Sequence, residues 1–96
     1  MNRDDVLAAL RQHKQALREQ FDVTGLALYG SFARDQADAE SDVDVLVEFG
    51  NPPDWRRYFG AQAYLEDLFE RPVDLSTIRE VRSEIRPYVE REAINV

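Results

Sequence analysis

The chain has 96 residues, 44% hydrophobic and 32% charged, which suits one folded domain with a modest core and leaves no room for a second. Nineteen acidic residues against twelve basic ones give a net charge of −7, a poor match to a duplex nucleic-acid binder, whose affinity comes largely from neutralising phosphates. Cysteine is absent, which excludes disulfides and thiolate metal sites.

In chain order, Asp4 and Asp5 precede the first apolar residues, so the start lacks the basic opening and apolar run of a signal peptide. No segment approaches the roughly 20 apolar residues that span a bilayer, and a cytoplasmic location with no membrane contact is expected. Val6, Leu7, Leu10, Leu17 and Phe21 form a helical stripe over Asp4–Gln20. His13 lies in the region of that stripe and is expected to be a partly buried structural residue. Thr24–Tyr29 is short and apolar between Gly25 and Gly30, and reads as a strand. Asp42–Phe49 alternates: Val43, Val45, Val47 and Phe49 point one way, and Asp42, Asp44, Leu46 and Glu48 the other, as in a half-buried strand.

Asn51-Pro52-Pro53 is a turn. Asp54–Phe69 is again helical in period, and Trp55, Tyr58, Phe59, Tyr64 and Phe69 are expected to be core residues rather than a base-stacking platform. Pro72–Leu75 is a short strand. Thr77-Ile78-Arg79-Glu80 has the pattern of a capping box opening a third helix, lined by Ile78, Val81 and Ile85. Pro87 kinks that helix or begins a fresh turn, and Tyr88–Ala93 is helical. The order α-β-turn-β-α-β-α predicts an α/β (α+β) fold, a small mixed β-sheet covered by helices on one face. Strand order is left open.

Two features between Gly30 and Asp44 carry candidate chemistry. Asp42 and Asp44, two apart on a strand, project from the same face with Cα atoms about 7 Å apart. Two carboxylates there repel by about 2–3 kcal/mol at an effective dielectric near 20, and a divalent cation would relieve this, since Mg²⁺ takes one or two carboxylates plus substrate phosphates. The same alternation also describes a strand with one wet face. Gly30-Ser31 directly follows a strand. A glycine turn with exposed N–H groups and a hydroxyl can hold an anion; it can equally be an ordinary turn.

Taken jointly, Gly30-Ser31-Phe32-Ala33-Arg34-Asp35 and Ser41-Asp42-Val43-Asp44-Val45-Leu46-Val47 resemble the signature of the minimal nucleotidyltransferase (MNT) family, in the polymerase-beta-like nucleotidyltransferase superfamily. The family pattern is Gly-Ser-x-Ala-Arg-Gly followed, after a short loop, by Ser-Asp-x-Asp. Asp35 stands where the family has its second glycine, and Asp35, Asp38 and Glu40 add negative charge nearby. The resemblance runs over nearly the whole chain and makes residues 1–96 a single nucleotidyltransferase domain.

The resemblance implies site residues and a reaction. Asp42 and Asp44 would hold Mg²⁺, with Asp74 of Val73-Asp74-Leu75 as a third acid that holds a second metal or accepts the proton of the attacking hydroxyl. Gly30 and Ser31 would contact the phosphates of ATP, and Arg34 would reach a phosphate or brace the loop. Stand-alone members pair with a helical HEPN-domain toxin protein and, as antitoxin, transfer AMP to one of its tyrosines. An acidic surface suits a basic partner of that kind. Two further readings stay open: a catalytically weak or inactive module that neutralises its partner by contact, and a small-molecule nucleotidyltransferase that gains its acceptor pocket by oligomerising.

Overall fold

The computed structural model describes residues 1–77 and 86–96. Helix α1 spans Arg3–Phe21. Its N-terminus is closed by a capping box, with the Asp5 amide donating to Asn2 Oδ1 (2.9 Å) and the Asn2 amide to Asp5 Oδ2 (3.1 Å). Asp4 and Asp5 sit in its first turn, where the helix dipole favours negative charge. The stripe expected from the sequence is buried through Val6, Leu7, Leu10 and Leu17. His13 is partly buried and its Nδ1 is hydrogen-bonded to the Tyr64 hydroxyl, which bears out the structural role.

Strand β1 (Val23–Tyr29) runs directly into α2, a single helical turn over Gly30–Ala33. A loop then leads to β2 (Val43–Phe49), α3 (Trp55–Phe69) and β3 (Val73–Thr77). Helix α4 (Arg86–Glu92) and the two-residue β4 (Ile94–Asn95) close the described chain. Pro87 lies in α4. Thr77 ends β3; the rest of the expected capping box, and the line Ile78, Val81 and Ile85, lie outside the described residues.

The four strands form one mixed sheet in the order β3-β2-β1-β4. β1 is antiparallel to β2 and to β4, whereas β2 and β3 are parallel. The parallel pair follows from α3, since parallel neighbours need a crossover and a helix supplies it. Side chains of α1, α3 and the inward rows of the sheet make one core: Leu10, Leu17, Leu28, Val43, Val45 and Leu65 have no exposed surface. A bulge between Val23 and Gly25 resets the alternation of β1, so Val23, Leu26 and Leu28 all reach this core.

The aromatic residues of α3 divide, which corrects the expectation that all are core. Phe69 is buried and Tyr58 and Tyr64 are half-buried, but Trp55 and Phe59 are 68% and 58% exposed. The core-facing line of α3 is Ala61, Leu65 and Phe69. Trp55 and Phe59 lie roughly 80–120° around the helix from it at 100° per residue. Among the described residues no helix is long and apolar enough to cross a membrane.

Candidate functional site

The register of the sheet assembles the acids. In the alternation that sends Val43, Val45 and Val47 into the core, Asp44 faces the other way. On β3 the same alternation buries Val73 and Leu75 and turns Asp74 outward. Asp44 pairs directly with Asp74 across the parallel ladder and with Tyr29 across the antiparallel one. Two carboxylates 30 positions apart in the chain thus become cross-strand neighbours on the face opposite the core. Asp42 stands one residue before β2, which begins at Val43. The expectation that placed Asp42 inside the strand is corrected by one residue: Asp42 belongs to the loop end, and its charge is still felt at Asp44.

The start of β3 is pinned from α3. Gln62 Nε2 donates to the Val73 carbonyl (3.0 Å), and the Val73 amide donates to Glu66 Oε2 (3.2 Å). The Tyr58 hydroxyl donates to the Leu75 carbonyl. These contacts flank Asp74 on both sides, so its placement is a property of the α3–β3 packing.

The electrostatics show a crowded anionic site. The Asp44 carboxyl is pushed up from 3.8 to about 6. Burial is the main cause, followed by the negative charges of Asp74 and Asp42 and a hydrogen bond with the Asp74 side chain; the Arg34 charge pulls it back down. Partial burial beside like charges is the environment that a cation relieves.

Gly30 fits the same picture. Its φ is +75°, and a β-carbon there would overlap the Asp44 carboxylate. Only glycine lets the chain turn from β1 into α2 so close to that acid. Gly30 and Ser31 open α2, so their N–H groups lie among those that find no acceptor inside a helix. Asp35, the departure from the family pattern, sits in the left-handed region at φ 58°, a conformation that aspartate tolerates better than most residues.

The loop between α2 and β2 is built by its own side chains. Ser41 Oγ accepts from the Asp38 amide (3.0 Å) and donates to Asp38 Oδ1 (3.2 Å), while the Glu40 amide donates to Asp38 Oδ1 (2.9 Å). Asp38 and Ser41 therefore set the approach to Asp42, a role that the sequence reading did not assign. Arg34 is engaged away from the acids: Nη1 pairs with Glu92 Oε2 on α4 at 3.0 Å, and Nε donates to Gln36 Oε1 (3.3 Å). That is the bracing alternative.

Asp44 and Asp74 thus meet at one end of the sheet face, with Gly30 against Asp44 and the charge of Asp42 beside them, and a carboxylate set of this kind fits a hard divalent cation. Among the described residues no three or more such side chains are drawn together into a ready-made ion cage. Mg²⁺ bound through one or two carboxylates and substrate phosphates does not require one.

Comparison with known proteins places these features in context. The family model described as nucleotidyltransferase domain matches residues 10–95. The protein adenylyltransferase MntA of Thermococcus cleftensis is 36% identical over 93 residues, covering 97% of this chain and 94% of that protein. A candidate protein adenylyltransferase of Methanocaldococcus jannaschii is 38% identical over 82 residues, covering 85% and 81%. The solved structure of a candidate minimal nucleotidyltransferase matches with a TM-score of 0.83 and 29% identity, over 100% of this chain and 97% of that one. A crystal structure of a toxin–antitoxin with AMP-PNP shares the fold, with a TM-score of 0.69 at 18% identity over 99% of this chain and 72% of that one.

Proposed function

The chain belongs to the nucleotidyltransferase-domain family, and on that premise we propose that this nucleotidyltransferase moves AMP from ATP, with Mg²⁺, onto a hydroxyl of a partner protein. The partner in this reading is a HEPN-type toxin, the acceptor is a tyrosine, and the chain acts in the cytoplasm as the antitoxin, with residues 1–96 forming a single catalytic domain. The observation that carries the site is the register pairing of Asp44 with Asp74, with the charge of Asp42 beside them. The partner class rests on the likeness to MntA and on the fold shared with toxin–antitoxin structures.

In this mechanism Asp42 and Asp44 would hold the metal, with Asp74 beside them, and Gly30 and Ser31 would receive the phosphates at the start of α2. Mg²⁺, when bound, supplies positive charge to the triphosphate and to the departing pyrophosphate. The acceptor hydroxyl oxygen attacks the α-phosphorus; the new O–P bond forms as the bond to the β-phosphate bridging oxygen breaks. Asp74, exposed on β3 beside Asp44, would take the hydroxyl proton or help to hold a second metal. Asp44 is held by Gly30 on one side and Asp74 on the other, so the protein's contribution is mainly fixed charge and fixed position. Arg34 braces the loop onto α4 and tempers the negative charge at Asp44.

The test is label transfer. The protein is incubated with Mg²⁺ and its co-purifying toxin partner, using α-labelled and γ-labelled ATP in parallel, beside an Asp42→Asn/Asp44→Asn control. Partner labelling from the α position only, lost in the control, is expected. An intact complex with no label would replace this reading with neutralisation by contact alone.

A further inference from the structure

Arg71 has no role in the site as described above, yet it touches the α2 turn and the Asp38–Ser41 turn and leads into β3. It lies three residues before Asp74. Its Nη1 donates to the carbonyl of Ser41 (3.1 Å), the residue before Asp42, and to the carbonyl of Asp38 (3.4 Å) at the start of the same turn. Its guanidinium carbon stands 5.2 Å from the ring centroid of Phe32, which is 1% exposed and follows Gly30-Ser31 in α2. Directly beside it, the Val43 amide donates to the Pro72 carbonyl (3.1 Å) and joins the start of β2 to the start of β3.

We propose that Arg71 is a positioning residue for the transfer reaction, a clamp that holds the α2 turn and the Asp38–Ser41 turn against the start of β3 and so sets where Asp42 and the phosphate-facing turn stand relative to Asp74. The inference rests on the nucleotidyl-transfer reading of the site. Arg71 takes backbone carbonyls and a ring face as partners, where an arginine serving a surface ion pair would take a carboxylate. Its Nε is buried without a hydrogen-bond partner, an unfavourable arrangement that a surface-seeking arginine would avoid. Its contacts fall on the α2 turn and the Asp38–Ser41 turn, so its effect on the acids runs through those segments. Lysine reproduces the clamp only in part: an ammonium can donate to the two carbonyls that Nη1 serves, but it lacks the delocalised guanidinium that stands over the Phe32 ring while Nη1 makes those bonds.

The experiment compares wild type, Arg71→Lys and Arg71→Gln with Leu65→Val, a core change in α3 that serves as a destabilised control. Two quantities are read for each: binding of Mn²⁺ together with α,β-methylene ATP by electron paramagnetic resonance, and the kcat and acceptor KM of AMP transfer to the toxin partner. Thermal midpoints are recorded alongside. At temperatures where all variants are folded, Arg71→Lys is expected to weaken Mn²⁺–nucleotide binding about 5-fold or more and to lower kcat about 10-fold, as misplacement near an angstrom does, with acceptor KM unchanged. Leu65→Val is expected to change neither. Added methylguanidinium should restore part of the lost kcat in Arg71→Gln. Wild-type binding and kcat in both Arg71 variants would overturn the proposal, as would losses that Leu65→Val reproduces at an equal thermal shift. Failure of the wild type itself to bind Mn²⁺–nucleotide would overturn the nucleotidyl-transfer reading, and this inference with it.

Discussion

Asp44→Asn separates the cost of the site from its use. Asp44 has a folded pKa of about 6 against 3.8 for an ordinary aspartate, from burial and from the charges of Asp74 and Asp42. A carboxyl raised in this way is protonated in the folded protein while already ionised in the unfolded chain between those two values. The unfolded chain binds fewer protons there, so stability falls as pH rises from about 4 to about 6 and stays low above it. The full shift corresponds to about 3 kcal/mol, and solvent screening at this half-exposed carboxyl reduces it to roughly 1–2 kcal/mol. Asparagine keeps the shape and can donate to Asp74. In EDTA at pH 7.5 the variant is therefore expected to be more stable than wild type by about 1 kcal/mol, or roughly 4–8 °C in Tm for a domain of this size. Below pH 4 the two should coincide. Millimolar Mg²⁺ with ATP should stabilise wild type and leave the variant unchanged, while AMP transfer is lost. Urea or thermal unfolding at pH 3.5, 5 and 7.5, with and without metal, measures all of this. An Asn variant less stable than wild type by the same amount at every pH would refute the reasoning and make Asp44 an ordinary structural hydrogen-bonding group.

Four other outcomes follow from the same structure. Gly30→Ala places a methyl group on the Asp44 carboxylate at a positive φ, so transfer activity should fall at least tenfold and stability by about 1–3 kcal/mol, read by label transfer and urea unfolding. Leu65→Ala opens a cavity at a site with no exposed surface and is expected to cost about 2–5 kcal/mol in unfolding free energy. Glu70 caps α3 at φ 53°; Glu70→Gly relieves that left-handed geometry and should raise stability by about 0.5–1 kcal/mol with activity unchanged. Arg34→Ala breaks an exposed pair with Glu92; its thermal midpoint should move by less than the equivalent of about 1 kcal/mol, and the loss of its charge should raise the Asp44 pKa further, visible by carboxyl NMR titration.

What the sequence by itself determined is what depends on neighbours along the chain. The period of Val6, Leu7, Leu10 and Leu17 marked the buried face of α1, and the alternation of Val43, Val45 and Val47 marked which way Asp44 must point. Gly30-Ser31 and Ser41-Asp42-Val43-Asp44 were legible as a joint pattern, and Asp74 only through the resemblance to a family, because a single acid in a five-residue strand carries no local signal. The tertiary structure alone decided that β3 lies parallel beside β2 in the register that sets Asp74 against Asp44. It decided equally that Trp55 and Phe59 stay outside the core, that two residues at Ile94–Asn95 complete the sheet, and that Arg71 joins three segments. Periodicity states which face of an element is apolar, but not which element will cover that face. Register and long-range clamps come from packing α3 across the sheet, and that energy is shared among residues far apart in the chain.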